Sequence, residues 1–420
     1  MMAWFLRTRA GRFLVVLSAC GLIACSEDRG QDVVDSRVAD LLSQMSIEQK
    51  VAQMIQGEIA HVTPDDMKRF GLGSVLNGGG SFPDKNKYAS LQDWVELADS
   101  YYLASIDTSE GNAGIPTIWG TDAVHGHNNV IGATIFPHNI ALGAAGDPEL
   151  AAAIAEATAM EVIATGVDWI FAPTVAVALD PRWGRTFESY GSEPALPRDF
   201  AGGIVEAMQG VGIVATAKHF LGDGGTSRGI DQGDTRLDKE SLLAIHGQGY
   251  YSAIEAGVQT VMASFNSWNG DKIHGNHELL TQVLREEMGF DGFVVSDWNG
   301  IGQVSGCKPD NCARAVNAGI DMVMAPEDWR TLYDNMLDQV RSGEITESRI
   351  DEAVTRILKV KFRSGLMERG LPSERAAGFA HSIGSEAHRE LARDAVRRSL
   401  VLLKNDNALL PLDPRGRYRL

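Results

Sequence analysis

The sequence predicts an α/β protein organised as a (β/α)8 barrel of the TIM type, followed by a short linker and the start of a second α/β domain. Three observations carry that expectation. Short apolar, β-branched runs alternate with amphipathic stretches of helical period, the pattern of a parallel sheet with crossover helices. Polar residues able to do chemistry stand directly behind those runs, where a barrel would gather them on one face. No G-x-G-x-x-G or G-x-x-x-x-G-K-[ST] follows a run, which argues against a doubly wound nucleotide-binding sheet. With 420 residues, 44% apolar and 22% charged, the chain can bury a large core, and one barrel can absorb most of its length.

Residues 1–24 read as an export signal. Arg7, Arg9 and Arg12 precede an uncharged run that is too short to cross a bilayer of ~30 Å as a mature helix. The run ends Leu22-Ile23-Ala24-Cys25, which resembles the bacterial lipobox. That resemblance implies acylation of Cys25 and a membrane anchor facing the periplasm, at the outer membrane of a Gram-negative host because Ser26 rather than Asp follows. An ordinary signal peptide cleaved nearby is the alternative. Residues 25–37 then form a polar tether.

The barrel is expected over residues 38–366. Its clear strands are Leu72–Leu76, Pro116–Gly120, Asp168–Ala172, Ile213–Ala217, Thr260–Ser264, Phe293–Ser296 and Ile320–Met324, with Val51–Ile55 as the weaker first one. Leu91–Ala104, Pro148–Thr165, Lys239–Ala256 and His277–Met288 supply helices between them. Asn77, Asp122, Lys218, His219, Asn266 and Asp297 all follow strands. Over residues 367–420, Ser382–Ser399 reads as a linker helix and Leu400–Leu412 as a strand with a turn, opening a domain that the chain does not complete.

Cys20 would leave with the signal and Cys25 would be acylated, so only Cys307 and Cys312 remain. In an oxidising compartment they are expected to close a small loop as a disulfide, with two free thiols as the alternative; a metal site would want more ligands, and no histidine lies between His277 and His381. A formal charge of −17, with 38 basic against 55 acidic residues and no basic stripe, argues against nucleic acid as a partner.

Phe290-Asp-Gly-Phe-Val-Val-Ser-Asp297-Trp298 is a buried strand that delivers a carboxylate at its mouth beside an aromatic able to pack on a sugar face. Lys218-His219-Phe-Leu-Gly-Asp223 ends another strand in a glycine-rich loop with two donor side chains. Asp180-Pro-Arg-Trp-Gly-Arg185 adds two guanidinium forks, and Gly120-Thr-Asp122 adds a second carboxylate.

Together with TIFPHN, FAPTVAV, SWNG and RILKVKF, these motifs make the chain, from about Leu41 to Pro411, resemble glycoside hydrolase family 3, in its branch of exo-β-glucanases and β-glucosidases. The resemblance implies hydrolysis of terminal β-D-glucosyl residues from a β-glucoside or β-glucan oligosaccharide. Asp297 matches the nucleophile, and Asp122, Arg185, Lys218, His219, Met262 and Trp298 match residues that hold the terminal glucose. A retaining mechanism needs two carboxyls and water, so no metal or organic cofactor is expected. Lys218 and Arg185 are expected to lower the pKa of Asp297 by charge attraction.

Two departures stand out. Phe265 occupies a position where plant members carry tyrosine, which removes a hydroxyl contact. The general acid of this branch is a glutamate of a second domain after the junction resembled by Leu400–Leu412, so an impaired first step is expected. The rival branch of single-domain β-N-acetylhexosaminidases takes its acid from a histidine after the K-H-F motif. Here Asp223 stands near that place as a possible substitute acid. A barrel that binds glycans without turning them over is the remaining alternative.

Overall fold

The computed structural model describes residues 32–78 and 80–416. The expected export signal and Cys25 lie outside that range. Eight short strands form one wholly parallel sheet: β1 Ile55–Glu58, β2 Ser74–Asn77, β3 Ile118–Thr121, β4 Trp169–Ile170, β5 Val214–Phe220, β6 Thr260–Ala263, β7 Phe293–Val295 and β8 Val323–Met324. Each strand from β1 to β7 pairs with its neighbours in the sequence, and β8 pairs with β1. The ring closes between β7 and β8 through a parallel bridge of Val295 with Met322 and the Ser296 N–H donated to the Met322 carbonyl at 2.9 Å.

Side chains fill the ring. The Trp169 indole of β4 donates to Thr216 Oγ1 on β5 at 2.7 Å and to Thr260 Oγ1 on β6 at 3.0 Å, and meets the Phe293 ring of β7 edge-on at 5.3 Å. A Cβ on Gly120 of β3 would stand 2.4 Å from Phe171, so only glycine leaves room for that aromatic layer. The interior is therefore a packed core, and chemistry is confined to the rim.

Helices cover the outside, and their starts are written in capping boxes. Ser46 with Gln49, Thr63 with Asp66 and Ser90 with Asp93 each satisfy two free backbone N–H groups at a helix start. The first of these explains a correction. Val51–Ile55 is not a strand: the capped helix Ile47–Gln53 runs through it, buries Val51 and Ala52, and leaves Ile55 to begin β1. Likewise Lys239–Ala256 is two helices, Lys239–His246 and Gln248–Glu255, broken at Gly247. Glu278–Glu287 is wound as a π-helix.

Two terminal expectations also change. The polar tether ends early, because residues 32–44 are helical and place Val34, Val38, Leu41 and Leu42 against the core at helical spacing. Leu400–Leu412 forms no strand. It finds no pairing partner among the described residues and leaves Leu403 90% exposed, while the preceding helix Glu386–Ser399 docks on the barrel helices. Among the described residues, no helix is long and apolar enough to cross a membrane. Cys307 and Cys312 are joined by a disulfide in the loop after β7.

Candidate active site

The C-terminal ends of β3, β5 and β7 bring three of the expected residues to one rim. Lys218, near the end of fully buried β5, reaches across to Asp122, the residue after β3, with Nζ to Oδ1 at 2.6 Å. Asp122 is half-exposed while Lys218 is buried, so the pair offers a carboxylate to the mouth and backs it with a fixed cation. Asp297, two residues beyond β7, points an oxygen at His219 Nε2 across 3.8 Å. Its other oxygen accepts the Trp298 N–H at 2.7 Å.

Arg185 completes the group from the loop after β4. It forks onto Glu188, three residues on, through Nε at 2.6 Å and Nη2 at 2.9 Å, and the same Nη2 also approaches His219 Nε2 at 3.0 Å. Arg donors cannot accept, so Nε2 carries the lone pair and Nδ1 the proton, which is given to Asp223 Oδ2 at 2.9 Å. Both nitrogens of His219 are thus used by the protein. The ring is buried, and its pKa is pushed well below the ordinary value by burial and by the nearby Arg185 and Lys218 charges. His219 fills the site as a neutral spacer between Asp223 and Asp297.

Asp223 therefore lies on the far side of that ring from Asp297. Burial raises its pKa to about 7 against the pull of Arg185. At Asp297, Lys218 and Arg185 pull the pKa down as expected, but burial outweighs them. Its side chain is only 14% exposed, and burial lifts its pKa to about 6; the Trp298 N–H, Lys218 and Arg185 pull it down without prevailing. At neutral pH the carboxyl is still mostly ionised.

Trp298 is 36% exposed at the rim, with its ring laid on Gly78 after β2, where a Cβ would stand 2.3 Å from the indole. Met262 is buried on β6 beside Val295 and offers no polar contact. Asn266 is likewise turned inward, onto Leu221 and Thr235. Glu188 and His274 were not anticipated. Glu188 has a visible signal, an acid three residues after Arg185 in the same motif; His274 accepts the Asp297 N–H at 3.0 Å and has none. Among the described residues, no cluster of three or more metal-ligating side chains occurs.

The family model for the glycosyl hydrolase family 3 N-terminal domain matches residues 46–360. A lysosomal β-glucosidase of Dictyostelium discoideum is 31% identical over 411 residues, covering 90% of this chain and 50% of its own. Among solved structures, an exo-1,3/1,4-β-glucanase from a Pseudoalteromonas species superposes with a TM-score of 0.89 at 52% identity, over 90% of this chain and 49% of that one. A β-glucosidase of Listeria innocua in complex with glucose gives 0.77 at 29%, over 90% and 53%. The chain thus spans about half the length of such relatives. With the barrel, the rim and these matches in agreement, the chain belongs to glycosyl hydrolase family 3 and carries the N-terminal domain of that family.

Proposed function

We propose that this barrel cleaves terminal β-D-glucosyl residues with retention, Asp297 attacking the anomeric carbon to form a glycosyl-enzyme that water then resolves. The observation that carries the reading is the setting of Asp297: a carboxyl at the barrel mouth, with a neutral imidazole at 3.8 Å and the Lys218–Asp122 and Arg185–Glu188 pairs in electrostatic reach. Asp122 presents its free oxygen to sugar hydroxyls, and the exposed Trp298 ring offers a flat apolar face to the pyranose. The relatives named as β-glucosidases and exo-β-glucanases support glucose as the terminal sugar.

The proton donor is the weak part of the constellation. Asp122 is held by Lys218, Glu188 by Arg185, and Asp223 lies behind His219. The reading therefore includes an impaired expulsion of poor leaving groups by this chain. It also includes export and acylation at Cys25, supported by the Leu22-Ile-Ala-Cys25 sequence; palmitate labelling of cells should mark the wild-type chain and leave Cys25→Ala unmarked.

A 2-deoxy-2-fluoro-β-glucoside with a dinitrophenolate leaving group needs little acid help. It should label Asp297, seen by mass spectrometry of the peptide, and leave Asp297→Asn unlabelled. A wild-type chain that stays unmodified would rule the nucleophile out.

A further inference from the structure

We infer that His274 is the positioning residue for Asp297: its imidazole pins the backbone of the loop after β7 and so aims the carboxylate at the mouth. The inference rests on the reading of Asp297 as nucleophile.

Three observations on the loop carry it. The Asp297 N–H is given to His274 Nε2 at 3.0 Å, and the Asp297 carbonyl accepts the Gly300 N–H at 2.9 Å, so the backbone is held on both sides of the side chain. The carboxylate accepts the next N–H, from Trp298, which couples its orientation to that same backbone. The turn also lies directly on the imidazole, for a Cβ on Gly300 would stand 2.4 Å from Nε2 and 2.5 Å from Cε1. The ring itself is held by packing. It projects from the short turn Ile273–Gly275, is fully buried, and has the Phe265 ring at 5.8 Å.

The chemistry of the ring suits the task. Accepting an N–H requires an unprotonated Nε2, and burial, opposed by the Ser264 backbone and helped by the Lys272 charge, pushes the His274 pKa down to about 3. The acceptor therefore persists across the pH range in which Asp297 is ionised. A space-filling histidine would need only shape, and an isosteric aromatic would serve as well. A positioning histidine needs its lone pair, because a nucleophile displaced by about 1 Å can lose about a hundredfold in rate.

The test uses the full chain and the fluorinated glucoside, whose limiting labelling rate and half-saturating concentration are measured separately. His274→Phe keeps the ring and removes the acceptor. It should lower the limiting rate about tenfold to a hundredfold with half-saturation unchanged, and His274→Gln, which restores an acceptor at a similar reach, should recover most of the rate. Gly300→Ala should reproduce the slow phenotype with His274 intact, because its methyl displaces the ring; this holds the inference testable should His274→Phe fail to fold. Wild-type labelling with equal limiting rates in His274→Phe and Gly300→Ala would overturn the positioning role and leave the nucleophile standing. A glutamine variant as slow as the phenylalanine one, at unchanged melting temperature, would also overturn it. Absence of labelling in the wild type removes the nucleophile, and the positioning role with it.

Discussion

Asp297 shows how burial and charge compete at one carboxyl. Burial raises its pKa to about 6 although two cations oppose it. If Asp297 is the nucleophile proposed above, its attacking form is the ionised one, and the labelling rate should rise with pH through about 6 and level off above. In Lys218→Met one of the opposing charges is gone, and the limb should move to higher pH; a pH–rate series on both proteins checks this. The same shift affects stability. Between the ordinary carboxylate range and about 6, the unfolded chain releases its proton while the folded one keeps it, so stability falls as pH rises through that window. A difference of that size corresponds to about 3 kcal/mol, an order-of-magnitude figure. Asp297→Asn should therefore raise the melting temperature at pH 8 and leave it nearly unchanged at pH 4, measured by calorimetry. Asp297, Lys218 and Asp122 were legible in the sequence because each follows an apolar run, and a barrel turns that local fact into proximity. His274 was not legible. Its role depends on how closely the Gly300 backbone approaches it, and no single position encodes that.

Among the elements, seven strands lie where the apolar runs predict them, with ends that move by up to three residues. The misplaced first strand has a local cause, the capping box at Ser46. Leu400–Leu412 has the composition of a strand, yet composition cannot supply a partner, and the segment pairs with no strand among the described residues. The opposite end of the barrel shows what secures the helices. Asp321, ahead of β8, is buried beneath Arg285, Arg349 at 2.8 Å and Arg356 at 3.4 Å, and also accepts the Val294 N–H at 2.8 Å. Burial opposes its charge, and the three guanidinium groups hold its pKa below the usual carboxylate value all the same. Asp321→Ala would leave Arg285 buried without its carboxylate, Glu352 still pairing Arg349 and Arg356, at a cost of about 3–5 kcal/mol. Urea unfolding should show the midpoint falling with an unchanged slope.

For the whole molecule, the proposed reaction divides into attack by Asp297 and proton donation to the leaving group. On the proposed reading Asp297 and the sugar-holding residues stand on one rim, whereas Asp122, Glu188 and Asp223 each have at least one carboxylate oxygen bonded to a neighbouring side chain. General acid catalysis is worth about 10²–10⁴-fold. Dinitrophenyl β-glucoside should accordingly be cleaved, while methyl β-glucoside and disaccharides should lag by at least that factor, giving a steep dependence of kcat/KM on the leaving-group pKa. A flat dependence would mean that one of the engaged carboxyls does donate.

Glu161 gives the molecule a mechanical shortcut. From the helix Pro148–Ile163 its buried carboxylate takes the Thr134 N–H at 2.7 Å, the Gly384 N–H at 3.1 Å and His388 Nδ1 at 2.7 Å. One side chain thereby knots the loop that follows Asp122 to the stretch leading into the final helix. Tension on that helix would be transmitted to the rim without first prising the ring of strands apart. In Glu161→Gln, amide exchange over residues 130–138 and 384–388 should quicken together, as two ends of one untied cord.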